Sequence, residues 1–262
     1  LGYIKSSNLC SEICQYTSPS EIAVCNLASI ALPRFIKDKK IDYELLRKVV
    51  HVAIENLNKV IDRTFYPVPE AKTSNLRHRP VGLGVSGFHD CLFKLGLPWS
   101  SAAAAKFNSE LFEAIYFFAV EKSVELAKKN GAYASFKGSP ASKGLLQFDL
   151  WEGETPFSGK HDWEALKKDV VKHGLRNSLL IALMPTASSS QILGACEGID
   201  PLTSNLYVRR LLSGEYIIIN KYLQADLKKR GLWTAELRDL LIAARGSVQA
   251  LPIPKKLKEV YK

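Results

Sequence analysis

The feature of this sequence that most constrains its fold is an apolar run at residues 178–184, in which every position after Ser178 is apolar. The run has the length of a β-strand. Its apolarity is continuous rather than alternating, which is typical of a strand buried on both faces of a sheet. A serine-rich segment follows at residues 185–191. The succession of helix, buried strand, loop and helix predicts an α/β fold, layered or barrel-shaped, with the number of strands left open.

Apolar residues at three- and four-residue spacing predict helices on either side of this strand. The most regular stripe covers residues 42–62, and a second helix begins near Ser101 as N-cap and ends before Gly131. Further helices are predicted at residues 163–173, 220–230, 234–245 and 255–262. The proline-containing segment 65–70 is predicted to be a loop. No internal repeat or interdomain linker interrupts the chain.

Composition narrows the classes of protein and partner. No apolar stretch approaches the roughly 18 residues that a membrane-spanning helix needs. The 262 residues include 36 Lys and Arg against 26 Asp and Glu, a net charge of +10 that favours an anionic partner such as phosphate or nucleic acid. Five cysteines are too few for a secreted disulfide framework and favour a reducing, cytoplasmic setting. Because Met184 is the only methionine, we expect a piece of a longer protein.

Three reactive side chains alternate in Asn8-Leu9-Cys10-Ser11-Glu12. In an extended strand, an amide, a thiol and a carboxylate would share one face and could provide a donor, a sulfur and a base. The alternative is a half-exposed strand with an inert, buried cysteine. Cys14 continues the alternation, so a metal site formed by Cys10, Cys14 and Cys25 is a further alternative. It lacks paired CxxC motifs, and we predict no bound metal.

Cys25 lies in an apolar segment, where a cysteine usually serves as a small hydrophobic residue. The other interpretation is that its thiol lies beside Cys10 and acts as a reductant by forming a disulfide. The separation of fifteen residues between the two cysteines cannot establish their distance in space.

The serine turn, residues 185–191, follows the buried strand directly. Hydroxyl side chains at a helix N-terminus, together with free backbone N–H groups and the positive end of the helix dipole, can hold a phosphate group. The alternative is ordinary N-capping of the next helix by the same hydroxyl groups.

Two further patterns are ambiguous. Gly82, Gly84 and Gly87 match the G-x-G-x-x-G string of dinucleotide-binding folds, but the preceding segment is polar and no acidic residue lies about twenty positions on, so we reject that reading. The triplet Arg77-His78-Arg79 could bind nucleic acid, or it could be a solvated loop or an internal ion-pair anchor.

Several longer motifs lie along essentially the whole chain in one order. They are Ser7-Asn-Leu-Cys-Ser-Glu-Ile13, Ala23-Val-Cys-Asn-Leu-Ala-Ser29, Tyr66-Pro-Val-Pro-Glu70, Arg77-His-Arg-Pro-Val-Gly-Leu-Gly-Val85, Arg176-Asn-Ser-Leu-Leu-Ile-Ala182, Pro185-Thr-Ala-Ser188 and Thr203-Ser-Asn-Leu-Tyr207. In the residues of these motifs and in their order along the chain, the sequence resembles the large catalytic subunit of class I ribonucleotide reductase of eukaryotic type.

The resemblance implies an incomplete ten-stranded α/β barrel, with residues 1–262 forming part of the catalytic barrel domain. It implies that Cys10, near the tip of a loop inside the barrel, becomes the thiyl radical that abstracts the ribose 3′ hydrogen. Glu12 matches the base for the 3′-hydroxyl proton, and Asn8 matches its hydrogen-bonding partner. Cys25 matches one of two cysteines that reduce the substrate.

The resemblance also assigns the substrate diphosphate to Thr186, Ala187, Ser188 and Ser189. The implied reaction is the reduction of ribonucleoside diphosphates to deoxyribonucleoside diphosphates. The implied partners are a metal-containing small subunit that supplies the radical, thioredoxin or glutaredoxin, and a second copy of the large subunit. The resemblance implies neither a membrane nor a nucleic acid as partner, and no cofactor bound by this chain.

The chain differs from the family in the regions that it covers and in one short segment of its sequence. The family's N-terminal region, with its ATP and dATP effector sites and the partner of Cys25, has no counterpart here, nor has the C-terminal region with two stacked tyrosines and a shuttle cysteine pair. Residues 194–197 also differ from the commoner family sequence. We therefore expect this piece alone to be inactive. The alternatives are a phosphate- or nucleic-acid-binding module and a nicotinamide-dependent oxidoreductase.

Overall fold

The computed structural model describes residues 3–153, 155 and 157–262; Leu1 and Gly2, at the start of the predicted domain, lie outside the described residues. In chain order the elements are β1 Leu27–Ala31, β2 Ile36–Lys37, β3 Lys40–Ile41, α1 Tyr43–Arg63, α2 Pro69–His78, β4 Gly82–Ser86, α3 Phe88–Leu95, α4 Ala102–Asn130, α5 Trp163–His173, α6 Ala187–Leu193, β5 Leu206–Leu211, β6 Gly214–Ile219, α7 Lys221–Lys229, α8 Ala235–Ala243 and α9 Lys255–Val260.

The predicted helices are present with small differences at their ends. Asp42 and Ser101 cap α1 and α4, since their side chains accept hydrogen bonds from the backbone N–H groups of Leu45 and Ala104. The segment 65–70 is only partly a loop, because α2 already begins at Pro69. Proline is favoured in the first turn of a helix, where its missing N–H would have no intrahelical partner.

Three parallel segments form the centre of the fold. β1 pairs in parallel with β4, with Leu27 opposite Gly82, and Leu83 forms a parallel bridge with Ile181 on the other side of β4. The segment 178–184 therefore lies beside β4 and is parallel to it, with a β-bridge at Ile181. The prediction that it is buried on both faces is wrong, since Leu183 is 41% exposed. The strands among the described residues do not close into a barrel.

Glycines in β4 allow its neighbours to approach closely. A Cβ atom at Gly82 would lie 2.5 Å from Leu27 Cδ2, and one at Gly84 would lie 2.5 Å from the carbonyl oxygen of Ala182 and 2.6 Å from Met184 Sδ. No side chain fits at these distances. The G-x-G-x-x-G string therefore has a packing explanation. Residues 82–86 are themselves a buried strand, which the polar segment before them did not indicate.

The two faces of β4 differ, because side chains alternate along a strand. Leu83 and Val85 face a core that also contains the buried residues of α1, α4 and α5. We call the opposite face, marked by Gly82 and Gly84, the glycine face. A second core lies among α7, α8 and α9. Phe93 of α3 belongs to that core, with its ring 5.1 Å from the ring of Tyr261.

Buried amide groups fix the strand ends. Asn26 Nδ2 donates to Asn75 Oδ1 at 2.7 Å and to the carbonyl of Pro80 at 2.8 Å. Asn75 in turn donates to the hydroxyl of Tyr66 at 2.7 Å, and Tyr66 donates to the carbonyl of Ile61. This network connects the start of the β1 ladder with α1 and α2.

The basic triplet is an internal anchor rather than a nucleic-acid surface. Arg77 forms an ion pair with Glu21, and His78 Nε2 lies 2.5 Å from Glu21 Oε2. Arg79, which is 4% exposed, donates to Asp62 at 2.7 Å. The interpretation as an ion-pair anchor is therefore confirmed.

None of the helices in the part of the chain that the structure describes combines the length and apolarity needed to cross a bilayer.

The Glu21 anchor makes stability depend on pH. Burial opposes ionisation of Glu21, but hydrogen bonds from His78 and Arg77 outweigh it and hold the pKa of this carboxyl below its ordinary value. The stabilisation is therefore present above the unfolded-state pKa of about 4.3 and is lost as the pH falls through the lower folded-state pKa. We expect Glu21→Gln to lower the free energy of unfolding by about 1–3 kcal/mol at pH 7.

The measurement is urea unfolding of the subunit that contains this chain, from pH 7 to pH 3. The difference between the wild type and Glu21→Gln should shrink below about pH 4. Glu44→Gln removes the exposed pair with Lys48 on α1 and should leave stability almost unchanged at every pH. A pH-independent effect of Glu21→Gln would contradict the assignment.

Candidate functional site

Residues 8–13 form a closed turn, not the predicted extended strand. Ser11 N donates to the carbonyl of Asn8 at 3.2 Å, and Ile13 N donates to Asn8 Oδ1 at 3.2 Å. Ser11 has a φ of 58°, in the left-handed region, which reverses the chain and breaks the alternation. The prediction that Asn8, Cys10 and Glu12 share one strand face is therefore wrong.

The turn places the three side chains in two environments. Asn8 and Glu12 are half-buried, whereas Cys10 is exposed. Ile13 anchors the turn, because its side chain is 5% exposed and its Cδ1 lies 3.6 Å from the position of a Cβ at Gly82. The turn is thus seated on the glycine face.

Cys25 reaches the same region from the segment that precedes β1. Asn26 accepts a hydrogen bond from Gly82 N at 2.9 Å, so the pairing with β4 extends to residue 26. Because side chains alternate along an extended segment, Cys25 projects to the same side as Leu27, whose side chain faces Gly82. Cys25 is exposed, so the interpretation of it as a small hydrophobic residue packed in the interior is wrong. Cys10 is exposed as well, so the alternative of an inert, buried cysteine at that position is also wrong.

The pKa of the Cys25 thiol is raised above its ordinary value by its surroundings. Partial burial raises this pKa, the negative charge of Glu12 raises it further, and a hydrogen bond with the Asn8 side chain lowers it. The charge of Glu12 and the amide of Asn8 therefore both act on the Cys25 thiol.

Glu12 has unused hydrogen-bonding capacity at this point. Its Oε2 is buried and has no hydrogen-bond partner among the described residues. Buried carboxylate oxygens normally accept at least one hydrogen bond. A ligand that donates a hydroxyl group would satisfy this oxygen.

Metal binding finds no support in this geometry. The described residues contain no group of three or more His, Cys, Asp or Glu side chains placed to hold a metal ion. Cys14, the third cysteine of the conceivable site, is exposed and contacts the hydroxyl of Ser7 at 3.7 Å.

The serine turn forms the other candidate feature. Thr186 occupies the N-cap position of α6, but its Oγ1 accepts a hydrogen bond from Gly198 N at 2.8 Å, and no side chain caps the helix. Ordinary N-capping by these hydroxyl groups is therefore not observed. Ala187, Ser188 and Ser189 are exposed. Their uncapped backbone N–H groups are a favourable environment for an anion.

The glycine face connects the two features. Ile13 contacts it at Gly82, and Met184 contacts it at Gly84, two residues before Thr186. The turn at residues 8–13, Cys25 and the segment that leads into the serine turn are therefore supported by the same strand, β4.

Sequence reasoning missed several buried polar residues near the serine turn. The hydroxyl groups of Ser86, at the end of β4, and Ser190, in α6, have no hydrogen-bond partner among the described side chains and backbone groups. His89 and Asp90 are also buried, in the first turn of α3. Ser190 lies within the serine-rich segment. The other three carry no pattern that marks them in the sequence.

The three-group contact at Cys25 predicts a change in thiol reactivity. Glu12→Gln removes a negative charge and should lower the pKa of Cys25, which increases its thiolate fraction at pH 8. Asn8→Ala removes the hydrogen bond that favours the thiolate and should have the opposite effect. Iodoacetamide labelling followed by peptide mass spectrometry measures the rate, with Cys14 as the internal reference. Equal rates in all three proteins would contradict the contact.

Comparison with known proteins places these features in a family. The family model described as ribonucleotide reductase, barrel domain, matches residues 1–262. The chain is 55% identical to the ribonucleoside-diphosphate reductase large subunit of Trypanosoma brucei brucei and 56% identical to that of Dictyostelium discoideum. It is 54% identical to the ribonucleoside-diphosphate reductase large chain 2 of Saccharomyces cerevisiae.

All of this chain is covered in each of these alignments, together with 33%, 31% and 31% of the respective relatives. The chain thus spans about a third of the length of the curated relatives it matches. Because the family match extends from the first residue to the last, and because the parallel strands and the turn at residues 8–13 lie within it, this chain belongs to the ribonucleotide reductase barrel-domain family.

Proposed function

We propose that this chain carries the ribose-reduction site of a ribonucleotide reductase large subunit that converts ribonucleoside diphosphates to deoxyribonucleoside diphosphates. The observation that carries the proposal is that the turn containing Asn8 and Glu12 contacts β4 through Ile13 at Gly82, where Leu27, two residues after Cys25, also packs, and that Glu12 keeps an unpartnered buried oxygen. These groups provide a hydrogen-bond donor, a base and a reducing thiol. The relatives that cover the whole chain are named ribonucleoside-diphosphate reductases.

Within this proposal, Cys10 is the thiyl radical that removes the 3′ hydrogen of the ribose. Glu12 takes the 3′-hydroxyl proton, and its buried, unpartnered Oε2 supports this role. Asn8 donates a hydrogen bond to the substrate. Cys25 and a second cysteine outside this chain give up two electrons and two protons, form a disulfide, and the 2′-hydroxyl leaves as water. The exposure of Cys10 allows a sugar to approach its sulfur.

The diphosphate of the substrate binds at Thr186, Ala187, Ser188 and Ser189. The support is the exposure of the last three residues and the uncapped backbone N–H groups of the turn. The net charge of +10 adds long-range attraction for an anionic substrate.

We further propose that residues 1–262 are part of a ten-stranded α/β barrel that the longer subunit completes. The three adjacent parallel segments, β1, β4 and 178–184, support this proposal. The proposed partners are a radical-supplying small subunit that contains the metal, thioredoxin or glutaredoxin, and a second large subunit. ATP and dATP act at sites outside this chain. The cytoplasm is the proposed location, and the isolated piece is inactive.

Replacement of Cys10 separates chemistry from binding. In the full-length subunit, assayed with its small subunit, we expect Cys10→Ser to abolish formation of deoxyribonucleotide. The dissociation constant of the nucleoside diphosphate should change less than about threefold, because the sulfur is needed in the transition state and little in the ground state. Product chromatography and isothermal titration calorimetry provide the two measurements.

The exposed Cys14 gives a matched control, since Cys14→Ser makes the same chemical change four residues away. It should retain activity. Full activity of Cys10→Ser would disprove the proposed reaction. A phosphate- or nucleic-acid-binding module would instead be indifferent to Cys10 and would lose affinity steeply with salt.

A further inference from the structure

The loop that follows α6 is held in place by the start of α3. We call residues 195–202 the clamped loop. Cys196 N donates to Asp90 Oδ2 at 2.7 Å, and Leu202 N donates to His89 Nδ1 at 2.8 Å. The backbone of Gly87 donates to the carbonyl of Cys196 at 2.8 Å. The proposed reaction uses none of these contacts.

Asp90 is the charged group of this contact. It is 2% exposed, and none of the ion pairs among the described residues includes it. Burial, together with the neighbouring Asp90 carboxylate, raises the pKa of the Cys196 thiol and of the Tyr222 hydroxyl. Asp90 is therefore buried beside two neutral groups, and the charge of Lys221 also acts on the Cys196 thiol. A hydrogen bond from a backbone N–H to a carboxylate in such surroundings is stronger than one between neutral groups.

His89 provides the second anchor in a fixed protonation state. Burial lowers the pKa of His89 to about 4, and the adjacent Asp90 opposes this shift only in part. At pH 7 the imidazole is neutral, so Nδ1 retains the lone pair that accepts the hydrogen bond from Leu202 N.

The clamped loop also contacts Thr186, at the start of α6. Gly198 N, in the middle of the loop, donates to Thr186 Oγ1 at 2.8 Å. This bond holds the Thr186 hydroxyl away from the first turn of α6, where a threonine at the N-cap position would otherwise accept a backbone hydrogen bond. If the loop moved, Thr186 could cap α6 and compete with a bound anion for the same N–H groups.

We propose that Asp90 is a positioning residue for diphosphate binding: by holding the clamped loop through Cys196 N, it keeps the Thr186 hydroxyl on Gly198 and leaves the backbone N–H groups of residues 187–189 available to the substrate. This inference rests on the proposed function, because it assumes that the serine turn binds the substrate diphosphate. The inference goes beyond that function because Asp90 lies in α3 and acts on substrate binding without contacting the substrate.

The test compares two substitutions in the full-length subunit with its small subunit and thioredoxin. Asp90→Ala removes the acceptor for Cys196 N, whereas Asp90→Asn keeps an acceptor oxygen there. We expect Asp90→Ala to raise KM for the best of the four common ribonucleoside diphosphates about tenfold, with kcat within about twofold, because ground-state and transition-state binding are lost equally. Asp90→Asn should restore KM to within about threefold of the wild type.

Hydrogen–deuterium exchange of residues 187–202 gives an independent readout. Exchange in this segment should be faster in Asp90→Ala than in Asp90→Asn. Asp226→Ala is the matched control, since it removes a carboxylate that accepts a hydrogen bond from Tyr261 at 2.7 Å in the second core. It should leave KM and this exchange unchanged.

Three outcomes would overturn the inference. They are an unchanged KM in folded Asp90→Ala, an Asp90→Asn protein as impaired as Asp90→Ala, and a proportional fall in kcat with unchanged KM. Failure of the proposed function is distinguishable, because the wild-type subunit would then neither bind nor reduce nucleoside diphosphates. In that case the inference about substrate binding fails with it, whatever the exchange of the loop shows.

Discussion

The close contact of β4 with its two neighbours is the constraint on which the rest of the structure depends. Gly82 and Gly84 have no side chains, so Leu27, Ala182 and Met184 can occupy space that a Cβ atom would fill. Packing at protein-interior density leaves no slack for an added methyl group at such positions. The same face supports Ile13 of the turn, and the segment beside it continues into the serine turn. The turn at residues 8–13 and the serine turn therefore both depend on glycine at positions 82 and 84.

Hydrogen bonds between buried asparagine side chains stabilise the packing of β4 against its neighbours. Asn26 and Asn75 exchange hydrogen bonds at the start of the β1 ladder, and Asn177 joins Asn58 to the carbonyl of Arg79. Each of these amide groups is satisfied, and such groups are costly to remove singly because the partner left behind remains buried. The motif residues Asn26, Arg79 and Asn177 therefore belong to the scaffold.

The candidate site differs from its scaffold because some of its hydrogen-bonding and reactive groups have no partner within the described part of the chain. Glu12 retains an unpartnered buried oxygen, Cys25 is an exposed free thiol, and the first turn of α6 has no capping side chain. A scaffold satisfies its polar groups internally, whereas a binding site leaves some of them for its ligand. Thr186 illustrates the difference, since its hydroxyl is committed to Gly198 and the backbone of the turn is left free.

The sequence by itself determined the helices α1 and α4, a strand-like segment at residues 178–184 and the family, because periodic apolarity, caps and long motifs are local signals. It also singled out Asn8, Glu12 and Cys25. Only the tertiary structure decided how they meet. Ser11, with its left-handed backbone, turns the chain between Cys10 and Glu12. Cys25 belongs to the separate segment before β1, which no alternation within residues 8–12 could indicate. Contacts between distant segments depend on the packing of β4 and α3, and local sequence patterns do not encode such distances.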